Sequence, residues 1–120
     1  MENSNLVEIK NLYVEYQINK SVLGGKKIIH AVNGVNLTIN KGEILAIAGE
    51  SGCGKSTLAK ALLKLEPVKS GEILFENQNI ISLNKENLKE FRKQVQMIFQ
   101  NPYASLNPKM KIIDILKEPL

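Results

Sequence analysis

Eight consecutive residues, GESGCGKS from Gly49 to Ser56, carry glycines, a lysine and a hydroxyl at the spacing G-x-x-x-x-G-K-S. Glycine lets a backbone turn tightly and approach a ligand, and free N–H groups at the start of a helix attract anions. Lys55 would neutralise the β- and γ-phosphates of a nucleotide, and the Ser56 hydroxyl would ligate Mg²⁺. The spacing therefore predicts a phosphate-binding P-loop. Its predicted contacts are Gly49, Glu50, Ser51, Gly52, Cys53, Gly54, Lys55, Ser56 and Thr57, the last through a hydroxyl near the α-phosphate.

The alternative for this stretch is a glycine-rich turn that contains a lysine by chance. A chance match within 120 residues has a probability below about 1%. The context also favours the P-loop, because the pattern follows an apolar run and opens an amphipathic one, as strand–loop–helix order requires. Cys53 is interpreted as a small residue of this loop, and not as a nucleophile or a metal ligand.

The elements on either side must hold the loop in place. The run from Glu43 to Ala48, EILAIA, is typical of a strand buried on both faces of a parallel sheet. After the loop, apolar residues recur at helical spacing and predict a helix of about three turns, which Pro67 ends. The predicted buried stripe of this helix is Leu58, Ala61, Leu62 and Leu65.

Strand patterns dominate the region before the loop. Residues 6–16 and 28–39 are rich in β-branched and aromatic side chains. A bulge is expected at Asn33-Gly34 in the second strand, and a turn at Lys41-Gly42. Later in the chain we expect strands over 71–76 and 95–99, a helix over 84–93 capped by Asn84, and a last helix with Ile112, Ile113 and Leu116 on one face. This order predicts an α/β fold with an antiparallel opening.

Composition narrows the function classes. Apolar residues make up 43% of the 120 residues, and no apolar run approaches the roughly 20 residues of a membrane helix. The amino terminus lacks the apolar centre of a secretory signal, and the single cysteine fits a reducing compartment, so we expect a cytoplasmic protein. The net charge of +4 is spread along the chain. A nucleic-acid site would need a concentrated basic stripe with aromatics, so none is predicted.

Longer segments resemble one family of P-loop proteins. GESGCGKSTLAKALLKLEP, SGEILFENQNI, VQMIFQNPYASLNPKM and KEPL are similar to the ATP-binding subunits of ABC transporters. Within that family they resemble the importers of oligopeptides, dipeptides and nickel, especially the F-type ATPase. The likeness runs from about Leu6 to Leu120, and the stretch from Gln96 to Asn107 is its most discriminating part.

The resemblance implies roles for further residues. Gln100 matches the Q-loop glutamine, which contacts Mg²⁺ and the attacking water, so Lys55 and Gln100 are the expected catalytic residues and Ser56 and Gln100 the expected metal contacts. Asn101 to Met110 would meet the coupling helix of a permease, although ordinary loop packing explains these residues equally well. The implied partners are permease subunits, a second ATP-binding subunit and, indirectly, an external substrate-binding protein. The implied location is the inner face of the cell membrane.

An aromatic residue near the end of the first strand stacks on adenine in this family. Tyr16 matches that position best, and Tyr13 is a core residue or an alternate candidate. His30, the only histidine, is interpreted as structural or solvent-facing, with a place near the base as the alternative. The stacking residue is left open among the three.

Three features that the family needs for hydrolysis are missing from residues 1–120. They are an LSGGQ-type signature loop, an acidic Walker B strand end followed by a catalytic glutamate, and a switch histidine. Asp114, the only aspartate, is interpreted as the start of a helix, because Lys111 interrupts the apolar run before it.

We therefore expect a partial ABC nucleotide-binding domain over residues 1–120, roughly the N-terminal half of the family's ATPase. Its fold would be a truncated P-loop core with an antiparallel β subdomain. The expected function is ATP binding in an importer ATPase, with ATP and Mg²⁺ as cofactors, and residues 1–120 alone would bind nucleotide without turnover. The alternatives are a truncated nucleotide-binding module and a non-functional remnant. The predicted strands over 43–48 and 95–99 would leave apolar faces exposed, so marginal stability is expected.

Overall fold

Two long antiparallel strands form the base of the fold in the computed structural model, which describes residues 4–20 and 24–118. Strand β1 spans Asn5–Lys20 and β2 spans Gly25–Asn40. Strand β3, Ser70–Phe75, pairs with the other edge of β1, and the short β4, Gln78–Asn79, follows it. The sheet order is β2-β1-β3-β4, with every pair antiparallel. The antiparallel opening is thus confirmed.

Two irregularities shape the hairpin of β1 and β2. Leu12 pairs with Val35 and Tyr13 with Asn33, so Gly34 is left out of the ladder with a φ of +66°. This is the bulge predicted at Asn33-Gly34. A second register shift lies nearer the hairpin end, where Val14 pairs with Val32 and Glu15 with His30. Ala31 is skipped there, which turns its carbonyl group out of the regular ladder.

Helix α1, Lys55–Leu62, is shorter than predicted. It ends because Lys64 adopts a φ of +53°, and the Leu65 N–H donates to the Lys60 carbonyl oxygen at 2.9 Å. This is the hydrogen bond of a Schellman motif, which closes a helix before any proline is needed. Leu65 is consequently 46% exposed and lies outside the buried stripe expected for it, and Pro67 does not end the helix.

The remaining helical segments lie in the second half of the chain. Helix α2 spans Lys85–Gln94, and its predicted cap is confirmed, because the Asn84 side chain accepts a 2.8 Å hydrogen bond from the Asn87 N–H. One 3₁₀ turn covers Pro102–Ser105, and helix α3 covers Ile112–Lys117. In the described part of the chain, no helix has the length and apolar character needed to cross a bilayer.

The core lies on one face of the sheet, against α1 and α2. Phe91 of α2 packs edge-on against Phe75 of β3, with ring centroids 5.3 Å apart. The buried apolar side chains are Ile9, Leu12, Val14, Val32, Leu58, Ala61, Leu63, Ile73, Ile80 and Phe91. Packing of the sheet against these two helices therefore fixes the position of the start of α1 relative to the hairpin.

The predicted strands over 43–48 and 95–99 are not formed. Neither 43–48 nor 95–99 pairs with any strand among the described residues. A β-strand exists only where a neighbour accepts and donates its backbone hydrogen bonds, and the described sheet consists of β1 to β4 alone. The predicted exposure of apolar groups is confirmed, since Ile44 is 98% and Ile98 is 94% exposed. The apolar face of α3 is uncovered too, with Ile112, Ile113 and Leu116 exposed.

Candidate functional site

The start of α1 presents open hydrogen-bond donors. Gly54 precedes the helix with a φ of +97° and provides no side-chain cap. The first helical bond runs from the Leu58 N–H to the Gly54 carbonyl oxygen at 2.9 Å. Among the described residues, the backbone N–H groups of Lys55, Ser56 and Thr57 find no acceptor. These three donors, with the positive end of the helix dipole, form a surface suited to an anion.

Steric contact explains the glycines at two positions of the loop. A Cβ atom on Gly54 would lie 2.1 Å from the Ala31 carbonyl oxygen, which the second bulge of the hairpin turns towards the loop. A Cβ on Gly49 would lie 2.7 Å from the Cys53 sulfur. The loop is therefore wedged between its own turn and strand β2, and a larger residue at position 54 would push the two apart.

The Lys55 ammonium group lies over the loop. Its Nζ donates to the carbonyl oxygens of Gly49 at 2.6 Å and Glu50 at 2.7 Å, and it lies 3.4 Å from the Cys53 sulfur. No carboxylate lies within ion-pair distance of it among the described residues. An anion at this place would therefore meet an ammonium group whose charge is balanced only by carbonyl dipoles.

A cavity of about 360 Å³ separates the loop from the hairpin. Tyr16 and Ile29 border it from the hairpin, and the residues from Gly52 to Thr57 border it from the loop. Tyr16 also packs against the core, and burial raises the pKa of its hydroxyl, with nearby Glu66 acting in the same direction. Its phenol therefore stays neutral. The complete lining is Tyr16, Ile29, His30, Ala31, Gly52, Cys53, Gly54, Lys55, Ser56 and Thr57.

The other two candidates for stacking on adenine, Tyr13 and His30, lie in different places. The Tyr13 hydroxyl points at Gly34, 2.8 Å from where a Cβ would stand, and Tyr13 does not border the cavity. His30 does border it, although the sequence favoured a structural or solvent-facing role. The pairing of Glu15 with His30 brings the ring there, and that register could not be read from composition or periodicity.

Gln100 borders a different cavity from Tyr16. A second cavity, of about 620 Å³, is bordered by Lys55, Ser56 and Lys60 on one side and by residues 97–101 on the other. Lys55 and Ser56 thus border both cavities, and the structure brings Gln100 to the same surface. The sequence did not single out Lys60, which lies one turn along α1 from Ser56.

Few side chains at this surface could ligate a metal ion. In residues 4–20 and 24–118, no three His, Cys, Asp or Glu side chains are grouped closely enough to hold a metal. The Ser56 hydroxyl and the Gln100 amide oxygen could each supply one hard oxygen ligand. That set fits Mg²⁺, which commonly takes one or two protein ligands and completes its shell with phosphate oxygens and water.

The segment after Gln100 is open to solvent. It contains the 3₁₀ turn Pro102–Ser105, which has no buried side chain. Tyr103 is 84% exposed, and Leu106 and Met110 are also exposed.

Sequence comparison relates the chain to transport proteins. Residues 32–116 match the family described as ABC transporter. The chain is 44% identical to the di/tripeptide transport ATP-binding protein DppF of Pseudomonas aeruginosa (strain UCBPP-PA14), over 92% of this chain and 34% of that protein. It is 43% identical to the oligopeptide transport ATP-binding protein AppF of Bacillus subtilis (strain 168), over 95% and 35%. The chain therefore spans about a third of the length of these relatives.

Comparison with solved structures leads to the same family. A dimeric ATP-binding cassette in a post-hydrolysis state, bound to ADP and Pi, has a TM-score of 0.63 and 33% identity over 72% of this chain and 35% of that one. A bacterial Atm1-family ABC exporter with ATP bound has a TM-score of 0.56 and 26% identity, over 74% and 14%. The predicted fold class, a P-loop core with an antiparallel β subdomain, is confirmed.

Proposed function

Because this chain belongs to the ABC transporter family, we propose that it binds ATP as part of an importer ATPase that energises the uptake of oligopeptides or dipeptides. The observation that carries the proposal is the convergence of three open N–H donors and the Lys55 ammonium group on one loop. The names of the peptide-transport relatives support the substrate class. Nickel uptake, which the sequence resemblance also allowed, has no support in those names.

The loop residues would hold the phosphate chain of ATP. The N–H groups of Lys55, Ser56 and Thr57 would donate to phosphate oxygens, and the Lys55 ammonium would exchange the Gly49 and Glu50 carbonyls for stronger, charged acceptors. Gly49 to Gly54 would supply backbone that approaches the phosphates closely. Tyr16 is the proposed stacking partner of adenine, since it borders the cavity and Tyr13 does not.

Hydrolysis would transfer the γ-phosphoryl group to water. Mg²⁺, when bound, supplies charge neutralisation between the phosphates, and Ser56 and Gln100 would hold it. Gln100 would also orient the attacking water through its amide, which both donates and accepts hydrogen bonds. Lys55 would stabilise the charge that develops on the transferred group.

Residues 1–120 would perform only part of this reaction. The sequence has no LSGGQ-type loop, no acidic Walker B pair and no switch histidine, so we propose that these residues are part of a nucleotide-binding domain and bind nucleotide without turnover. The sequence leaves two alternatives, a truncated nucleotide-binding module and a non-functional remnant. Hydrolysis by the 120-residue polypeptide that disappears in Lys55→Ala would contradict this part of the proposal.

The proposed partners are a permease and a second ATP-binding subunit. The exposed side chains of Tyr103, Leu106 and Met110 support a permease contact over 101–110, because they offer apolar area to a partner. The dimeric state of a structurally similar cassette supports pairing with a second subunit. These partners imply a place on the cytoplasmic face of the membrane, with an external binding protein acting indirectly, and no nucleic-acid partner is proposed.

Substitution of Lys55 tests the proposal. In the protein at its natural length, Lys55→Ala should weaken binding of MgATP by about 10-fold or more, because hydrogen bonds from a charged group contribute about 1.5–3 kcal/mol each. Calorimetric titration would measure this. Lys85→Ala is the matched control, since Lys85 begins α2 and borders neither cavity. Equal affinities in the two variants would refute the phosphate-binding role.

A further inference from the structure

A charged cluster lies behind the cavity at the hairpin. Glu15 of β1 lies opposite His30 of β2, and its Oε1 is 2.9 Å from His30 Nδ1. Its Oε2 accepts a hydrogen bond from Lys69 Nζ at 2.6 Å. The Glu15 side chain is only 12% exposed. The hydrogen bond from Lys69 lowers the pKa of Glu15, and His30 acts in the same direction, so Glu15 stays a carboxylate.

This cluster favours one position for the proton of the His30 ring. A carboxylate carries lone pairs and only accepts hydrogen bonds, so the 2.9 Å approach of Glu15 Oε1 favours the proton on Nδ1. In the neutral ring, Nε2 then carries a lone pair and acts as an acceptor. Among the described residues, the one polar side-chain contact of the His30 ring is that of Nδ1 with Glu15. His30 borders the cavity, so its neutral ring would offer a hydrogen-bond acceptor to a ligand there.

The two ends of the cavity suit different parts of a nucleotide. The loop end offers N–H donors and an ammonium group, which match phosphates. The hairpin end offers Tyr16 and Ile29, which match a flat apolar base. The sugar connects the α-phosphate to the base and must lie between them. Its hydroxyl groups are the hydrogen-bond donors in that stretch, whereas a phosphate has no proton to donate to a neutral imidazole.

We propose that His30, oriented by Glu15 and Lys69, accepts a hydrogen bond from a ribose hydroxyl of the bound nucleotide and so favours ribonucleotides over deoxyribonucleotides. This inference rests on the proposed nucleotide binding at the loop. His30 is then a specificity-determining residue, and Glu15 is a positioning residue that acts through it.

The test compares ligands that differ only in the sugar. MgATP, 2′-deoxy-ATP, 3′-deoxy-ATP and inorganic triphosphate are titrated into the protein at its natural length. The wild type should bind ATP about 3- to 10-fold more tightly than at least one deoxy analogue, as expected for one neutral hydrogen bond. Equal affinity of the wild type for ATP and both analogues would overturn the proposal. This comparison uses the wild type only, so its result does not depend on whether a variant folds.

Variants then assign the preference to His30. His30→Ala should remove the preference for ribose and leave the affinity for inorganic triphosphate unchanged. His30→Gln, whose amide oxygen also accepts, should restore part of the preference. Glu15→Gln should reduce it, since a neutral amide no longer requires the proton on Nδ1. An unchanged preference in His30→Ala, or an equal loss for ATP, both analogues and triphosphate, would overturn the inference.

Failure of the underlying function is distinguishable. Lys55→Ala should weaken binding of ATP and of inorganic triphosphate alike. If the wild type binds ATP and triphosphate in a Lys55-dependent way but shows no preference for ribose, the inference about His30 is wrong while the phosphate loop stands. If triphosphate binding does not depend on Lys55, the loop assignment is wrong, and the inference about His30 is wrong with it.

Discussion

At the residue scale, Gly54 is where the loop and the hairpin come closest. Its φ of +97° already favours glycine, and a Cβ would meet the Ala31 carbonyl oxygen at 2.1 Å. Ala31 lies in β2, and the Gly54 carbonyl oxygen accepts the first hydrogen bond of α1, so a shift at this contact would disturb one of these elements. The loop therefore tolerates glycine alone at this position.

Gly54→Ala should destabilise the fold by about 2–4 kcal/mol, the sum of a left-handed backbone and an overpacked contact. Gly42→Ala is the matched control, since Gly42 has a φ of +76° and nothing within 4 Å of an added Cβ. It should cost about 1 kcal/mol. Denaturant unfolding of both variants measures the difference, and similar losses would show that the Ala31 contact is unimportant.

Cys53 offers a chemical probe of the same loop. It is exposed, and its sulfur lies 3.4 Å from Lys55 Nζ. Alkylation with a bulky maleimide should lower ATP affinity at least about 10-fold, because the added group would occupy the space beside Lys55, where we propose that the phosphates bind. Cys53→Ser should bind ATP normally and resist the reagent. Full ATP binding by the alkylated protein would rule out a phosphate site beside Cys53.

At the element scale, the hairpin connects distant parts of the chain to the loop. Its second bulge places Ala31 against Gly54, and its register joins Glu15 to His30. Lys69, just before β3, completes the cluster by bonding Glu15 from the other side of β1. One strand pair thus positions the rim of the cavity and ties it to the rest of the sheet.

The lowered pKa of Glu15 makes the cluster of Glu15, His30 and Lys69 sensitive to acid. A carboxylate whose pKa falls on folding stabilises the native state above its ordinary pKa, and the gain is lost as the pH drops through the lowered value. The melting temperature of the wild type should therefore fall more steeply in acid than that of Glu15→Gln. Thermal unfolding across the acid range measures this.

Glu90 provides the control for that experiment. Its pKa is also lowered, by Lys93 one turn along α2, but both side chains are more than half exposed. Solvent screens such a surface pair, so Glu90→Gln should change the acid dependence less than Glu15→Gln does. The opposite ranking would mean that the Glu15 cluster does not tie the hairpin to the sheet.

At the scale of the whole molecule, two predicted strands and the last helix lack packing partners among the described residues. The segments 43–48 and 95–99 have the composition of buried strands, yet Ile44 and Ile98 are almost fully exposed. Helix α3 likewise forms without a covering element. The well-packed part is the antiparallel sheet with α1 and α2.

Residues 1–120 expressed alone should consequently be marginally stable. We expect broad thermal unfolding with a midpoint below about 45 °C, the lower end of the range for mesophilic domains. Exposed apolar groups should also bind a hydrophobic dye such as ANS before unfolding. A sharp, cooperative transition at high temperature without dye binding would contradict this expectation.

Local chemistry allowed much of this structure to be predicted. The loop, the bulge at Gly34, the turn after β2 and the cap at Asn84 each depend on a few adjacent residues, and each is where the sequence places it. Glycine conformations and capping side chains act within one turn of chain, so their patterns are readable without a fold.

Other features depend on contacts between distant residues. The end of α1 at Leu62, the approach of His30 to the loop and the pairing of Glu15 with Lys69 across 54 positions follow from strand register and packing. The predicted strands over 43–48 and 95–99 show the same dependence, because apolar composition marks a segment for burial but only a hydrogen-bonding neighbour makes it a strand. Residue types therefore predicted a phosphate-binding loop, and the register of the hairpin decided which side chains share the cavity beside it.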